Sequence, residues 1–242
     1  VIGWLNPGDP FPPADTALID PNGLLCAGLE LTPELVLAAY ERGIFPWYSD
    51  GQPVLWWSPD PRMVLTPQDF NLHRSLRKTL KYSNFEIRTD TCFDAVMRAC
   101  AEPRPEQGGT WISDAIVSAY SALHRAGLAH SVETWIEGEL VGGLYGIALG
   151  RVFFGESMFM RRTDASKIAF AHLVTQLRRW QFELIDCQQN TDHLASLGAA
   201  PISRADFLQR LSRLVHSDAN ALRSGAWKFD RDLLDDLLGT SA

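Results

Sequence analysis

Three apolar runs separated by tight turns constrain this chain more than any other feature. Ser131–Ile136 reads as a strand, Glu137-Gly138-Glu139 as a turn, Leu140–Ala148 as a second strand, Leu149-Gly150 as a second turn, and Arg151–Phe154 as a third strand. Runs so closely spaced and joined at glycines pair with their neighbours as a meander. A long helix follows from Asp164 to Trp180, then a strand from Phe182 to Gln188. Upstream, Leu72–Lys81, Cys92–Ala101 and Ser113–Ala126 read as helices, the last capped by Ser113 and stopped by Gly127, with a strand at Phe85–Thr89. Downstream, Asp192–Leu197 is a short helix stopped by Gly198, and Ser203 with Asp206 forms a capping box before a helix through Leu214. The acidic tail after Asp218 reads as peripheral. This order predicts an α+β layered domain.

The first segment is different. Thr32-Pro33-Glu34 opens a helix that ends at Gly43, with Thr as N-cap and Pro in the first turn. Then come Phe45-Pro46-Trp47-Tyr48 and Leu55-Trp56-Trp57-Ser58-Pro59-Asp60-Pro61-Arg62, a stretch with too many prolines for a central strand. We therefore expect a small N-terminal domain, residues 1–62, and a larger domain, residues 63–242.

Composition removes several classes. The chain has 242 residues, 46% hydrophobic and 21% charged, an ordinary globular balance. No apolar run reaches the roughly 18 residues of a membrane span. Val1–Pro13 has neither the basic nor the apolar region of a signal peptide, and a start at Val1 instead of a methionine points to either a processed or an engineered start. The four cysteines (Cys26, Cys92, Cys100, Cys187) include no C-x-x-C, and the six histidines form no H-E-x-x-H, so no structural zinc is expected, and the cysteine pattern fits a reducing cytoplasm; the chain is read as an enzyme that works without metal or cofactor. Neither G-x-G-x-x-G after a strand nor G-x-x-x-x-G-K-[ST] occurs, which disfavours nucleotide hydrolysis.

Four groups of residues carry candidate chemistry. Trp47, Trp56 and Trp57 lie within eleven residues, either as a small aromatic core or as a platform on which bases stack; Trp111 is a second candidate for such stacking. The net charge is −7, which argues against nucleic-acid binding, yet Phe70–Phe85 contains no acid while Arg74, Arg77, Lys78 and Lys81 share one helix stripe. That stripe is either a solvated face or a phosphate-binding one. In Leu184-Ile185-Asp186-Cys187-Gln188, alternation puts Asp186 and Gln188 on one face and Ile185 and Cys187 on the other. A carboxylate in an apolar strand must be paired or used. Glu156, amid Phe153, Phe154, Met158 and Phe159, poses the same choice.

The element order resembles acyltransferases of the N-acetyltransferase (GNAT) fold, but a [QR]-x-x-G-x-[GA] loop for CoA is missing where Arg161-Arg162-Thr163-Asp164-Ala165-Ser166-Lys167 stands. Several runs are closer to one family. Pro21-Asn22-Gly23-Leu24-Leu25, Arg42-Gly43-Ile44-Phe45-Pro46-Trp47, Leu55–Arg62, Gly109-Thr110-Trp111-Ile112, Gly155-Glu156-Ser157-Met158-Phe159, Leu184–Gln188 and Ala195-Ser196-Leu197-Gly198-Ala199 resemble leucyl/phenylalanyl-tRNA–protein transferases, in that family's order, over roughly Asp20–Val215. The resemblance implies a small N-terminal domain and a GNAT-like catalytic domain in a monomeric cytoplasmic enzyme. It implies transfer of Leu, Phe or Met from aminoacyl-tRNA to proteins that start with Arg or Lys, marking them for N-end rule degradation. By the family's pattern, Trp47 and Trp111 hold the adenine of the tRNA 3′ end, Asp186 and Gln188 are catalytic, and Glu156 and Tyr40 serve the acceptor. Where the family often has Asn, this chain has Thr191, beside Asn190. We expect an apolar pocket for the aminoacyl side chain, with Phe170, Leu173 and Leu177 facing Leu144, Phe153 and Met158. An N-acetyltransferase-fold enzyme with another acyl donor, and a non-catalytic protein binding RNA ends, are the alternatives.

Overall fold

A computed structural model of the chain describes residues 2–102, 110–217 and 225–240. Val1, the Gly108-Gly109 pair before Trp111, and the first part of the acidic tail lie outside the described residues. In chain order the strands are β1 (Gly3–Leu5), β2 (Leu24–Gly28), β3 (Phe45–Pro46), β4 (Val54–Trp57), β5 (Arg62–Leu65), β6 (Glu86–Thr89), β7 (Ala129–Ile136), β8 (Glu139–Leu149), β9 (Val152–Met160), β10 (Leu184–Gln188) and β11 (Ala200–Ile202). The helices are α1 (Pro33–Tyr40), α2 (Arg74–Tyr82), α3 (Phe93–Ala101), α4 (Asp114–Arg125), α5 (Ala165–Arg179), α6 (Asp192–Ser196), α7 (Arg204–Leu214) and α8 (Leu233–Leu238).

Among the described residues the strands form two sheets: a four-stranded one ordered β1-β2-β4-β3, and a seven-stranded one ordered β11-β5-β10-β9-β8-β7-β6. The predicted meander is β7-β8-β9, and its third strand extends six residues beyond the expected Phe154, to Met160. Side chains alternate across it. Leu144, Ala148 and Phe153 pack with Leu173 and Leu177 of α5 on one face, while Tyr145, Ile147 and Phe154 pack with α3 and α4 on the other. The caps are those the sequence names: Ser113 Oγ accepts from the Ile116 amide and Ser203 Oγ from the Asp206 amide.

Two expectations are corrected. Val54–Trp57 is a central strand, paired with β2 on one side and β3 on the other. The prolines that argued against this flank β4 at Pro53 and Pro59, and Pro46 sits on the edge strand β3, where a missing N–H costs little. Nor is the C-terminal segment peripheral. Trp227 is 4% exposed, stacks on His130 at 3.8 Å and touches Trp180 and Phe182; its amide donates to Asp90. Arg179 of α5 then grips Asp230, Asp232 and Asp236, and Leu237 of α8 packs with Leu76 and Leu80 of α2. The acidic residues are thus partners of one cation, beside an apolar anchor that composition alone conceals.

Candidate active site

Two β-bulges shape the site. On β9, Tyr145 of β8 faces Ser157 and Gly146 faces Gly155, so Glu156 is an extra residue in the ladder. On β10, Asp186 faces Val64 of β5 and Gln188 faces Met63, so Cys187 is the extra residue there. A bulge bends its strand and re-aims side chains. The alternation expected for this strand survives the bulge: Ile185 and Cys187 pack on the α5 side of the core, while Asp186 meets Arg62 and Gln188 meets Glu156 on the other, and Gln188 takes a left-handed φ of 59°. β9 and β10 pair in parallel as far as Phe154 opposite Asp186. Two residues further along each strand, side chains take over, and Gln188 Nε2 donates to Glu156 Oε1 at 3.3 Å.

Asp186 is fully buried and paired. Arg62, the first residue of β5, donates from Nε and Nη2 to its two carboxylate oxygens at 2.8 and 2.7 Å. Asp186 Oδ1 also accepts from the Gln188 amide at 2.9 Å. The carboxyl group facing the cavity is accordingly that of Glu156, since the charge of Asp186 is met by Arg62, as a buried carboxylate requires. Glu156 accepts from the Tyr40 hydroxyl and, at 3.2 Å, from the Tyr120 hydroxyl; the two hydroxyls lie 2.9 Å apart. Burial pushes the Glu156 carboxyl up to about 7, against the pull of the Tyr40 and Tyr120 hydrogen bonds, with the neighbouring Asp186 charge acting in the same upward sense. Burial first, and the Glu156 charge second, hold both phenols well above their usual range, so they stay protonated and donate.

This cluster opens on a cavity of about 1370 Å³. Leu144, Phe153, Met158, Phe170 and Leu173 line it, as expected for an apolar wall. Leu177 does not; it is fully buried one turn beyond Leu173, under the sheet with Phe182. The Phe153 ring reaches its place because residue 146 is glycine: a Cβ there would lie 2.5 Å from the ring and 2.2 Å from the Phe154 carbonyl oxygen.

Residues 64–212 match the family described as leucyl/phenylalanyl-tRNA protein transferase, and residues 30–60 match the N-terminal domain of that family. The chain belongs to this family. It is 59% identical over 236 residues to the leucyl/phenylalanyl-tRNA–protein transferase of Nitrosospira multiformis, covering 97% of this chain and 100% of that one. It is 56% identical over 250 residues to the enzyme of the same name from Cupriavidus taiwanensis, covering 100% and 98%. A GCN5-related N-acetyltransferase from Kribbella flavida superposes at a TM-score of 0.34 with 12% identity, over 71% of this chain and 61% of that one. A likeness so loose carries no argument.

In this transferase Trp47 and Trp111 both border the cavity. Trp47 is 41% exposed; its carbonyl accepts from Trp57 Nε1 at 2.7 Å and the two indoles meet edge to face at 5.5 Å, whereas Trp56 is fully buried in the small sheet. Arg74, Arg77, Lys78 and Lys81 are all exposed on α2, whose Leu76 and Leu80 face inward; none of the four borders the cavity. Thr191 borders it too, its hydroxyl oxygen accepting from the Leu194 amide as the cap of α6, and Asn190 is exposed outside the lining. Sequence reasoning missed Tyr120, Ile185 and Arg62. For Arg62 a signal existed: a lone cation opening an apolar strand, matched by a lone acid in another. Tyr120 had none, because a tyrosine on an amphipathic helix is ordinary core material.

Proposed function

We propose that this chain moves Leu, Phe or Met from aminoacyl-tRNA to the α-amine of proteins that start with Arg or Lys, as a cytoplasmic monomer, and so marks them for N-end rule degradation. The observation that carries the proposal is one cavity bordered by an apolar wall, two indoles and a tyrosine-bound carboxylate. Those three surfaces suit an apolar aminoacyl side chain, an adenine and a cationic acceptor.

The chemistry asks little else of the protein. The aminoacyl ester is already activated, so holding it beside a neutral amine and stabilising the tetrahedral oxyanion suffices. An N-terminal ammonium has a reference pKa near 8, so its neutral form is a minor but ample species at pH 7. Gln188 gives its Nε2 to Glu156, which fixes the sense of the amide and leaves Oε1 to accept from the attacking amine. The C–N bond forms, the bond to the ribose oxygen breaks, and the amine proton leaves with that oxygen. Arg74, Arg77, Lys78 and Lys81 offer phosphate contacts away from the cavity.

The test is transfer of radiolabelled Leu from Leu-tRNA to an Arg-starting peptide. Label in peptide linkage is expected. Binding of the tRNA with no transfer favours the RNA-end-binding reading, and transfer only from another acyl donor favours the N-acetyltransferase reading.

A further inference from the structure

We infer that Arg62 is a positioning residue for the transfer step: it holds Asp186 as the fixed anchor of Gln188, and Asp186 is a structural anion and not the acceptor of the amine's proton. The inference rests on the reading that Gln188 faces the attacking amine.

The geometry supplies each link. Arg62 is fully buried, and its guanidinium lies between the rings of Phe45 and Phe207, at 4.7 and 4.6 Å from their centroids. Phe45 belongs to β3 of the small sheet, two residues before Trp47, and Phe207 belongs to α7. A planar cation held against two rings and bonded through Nε and Nη2 has little freedom to turn, so its two N–H groups stay directed at Asp186. Asp186 is fixed in turn. Its Oδ1 accepts from Arg62 Nε and from the Gln188 amide, its Oδ2 accepts from Arg62 Nη2, and no surface of it reaches solvent. A proton acceptor must approach the proton it takes to hydrogen-bond distance. Here both oxygens already hold a guanidinium, and the oxygen nearer Gln188 also holds the amide of that residue. What the carboxylate does provide is an acceptor that keeps Gln188 N–H pointing inward beyond the bulge at Cys187. Held so, Gln188 keeps its left-handed backbone, an unusual state for a non-glycine residue that its surroundings must maintain, and its side chain stays 3.3 Å from Glu156.

Two double replacements separate this role from its rivals. Removing one member of the pair strands a buried charge, so the single variants are poorly suited; removing both charges avoids that. R62M/D186N keeps an oxygen in position to accept from the Gln188 amide. R62M/D186L takes that oxygen away. Steady-state transfer from Phe-tRNA to an Arg-starting peptide is measured for each, together with hydrogen exchange at the Gln188 amide and thermal melting. In R62M/D186L we expect kcat to fall by about tenfold or more with the KM for Phe-tRNA unchanged, because the lost contact serves the transition state, and the Gln188 amide to lose its protection. In R62M/D186N we expect a smaller fall in kcat, of about three- to fivefold, with most of the protection retained, because an oxygen still receives the Gln188 amide but the guanidinium that fixed it is gone; full parent kcat there overturns the role of Arg62. Equal, deep loss of kcat in both doubles overturns the inference in favour of Asp186 as base. Near-parent kcat in R62M/D186L, or unchanged protection there, overturns it in favour of a purely structural ion pair. A parent protein that transfers nothing refutes the functional reading instead, and the exchange measurement still decides whether Asp186 anchors Gln188.

Discussion

Replacing Glu156 by Gln should change how stability depends on pH, and the size of the change follows from the site. The Glu156 carboxyl titrates at about 7 in the fold against 4.5 in a free chain. Its folded value is raised, so between those two values the native state holds more protons than the unfolded state, and stability falls as pH rises through that window. Each tenfold difference in proton affinity is worth ~1.4 kcal/mol, so the full effect is about 3 kcal/mol; because the carboxyl borders an open cavity where water screens it, we expect about 2 kcal/mol. The amide introduced by Glu156→Gln keeps the size and can accept from Tyr40 and Tyr120, but it has no charge to desolvate. The assay is urea unfolding of both proteins at pH 5 and pH 8. The variant should gain about 2 kcal/mol on the parent between those conditions, every other titrating group cancelling in the difference. A stability difference that is flat with pH would refute the argument that burial, and not the tyrosine hydrogen bonds, governs this carboxyl. The same ionisation should appear in transfer: a bound Arg or Lys cation favours charged Glu156, so the KM for acceptor peptide should drop as pH rises through 7 in the parent and stay level in Glu156→Gln.

Other outcomes are expected with independent measurements. Neutralising Arg77 and Lys78 should flatten the log–log salt dependence of tRNA binding by up to about one unit per lost phosphate contact, and an unchanged slope would leave α2 as a solvated face. Phe153→Ala should shift the ratio of Phe to Leu transfer, within the roughly 1–3 kcal/mol that apolar pockets discriminate; lower stability with a fixed ratio would assign the ring to core alone. Gln188→Ala should lower kcat while tRNA binding, measured by filter retention, stays intact. Trp227→Ala should cost about 3–5 kcal/mol in urea unfolding, since the indole is buried among His130, Trp180 and Phe182; a loss under about 1 kcal/mol would return the C-terminal segment to the periphery.

Local signals explain which parts of this architecture were legible in sequence. The β7-β8-β9 meander and the α5 cover announce themselves through glycine turns and two distinct periodicities, and the caps at Ser113 and Ser203 through residue type alone. The short strands β1, β2, β5 and β11 do not, because three to five residues show little period and their pairing is decided by distant partners. The same division holds in the site. Asp186 and Glu156 stand out as acids in apolar runs, but the Arg62 pair spans 124 positions and the two bulges depend on register, which no local pattern carries. Leu177 falls outside the cavity for a related reason: helical spacing predicts a face, and the cavity ends part-way along it.

Gly146 bears on the cavity from outside. Any side chain at that position would meet the Phe153 ring and, closer still, the Phe154 carbonyl oxygen. The position of a cavity-lining ring is thus secured by a residue that does not itself line the cavity. Even a methyl group there would press on the β9 backbone, so this part of the wall cannot be retuned from behind without loosening the pairing of β8 with β9.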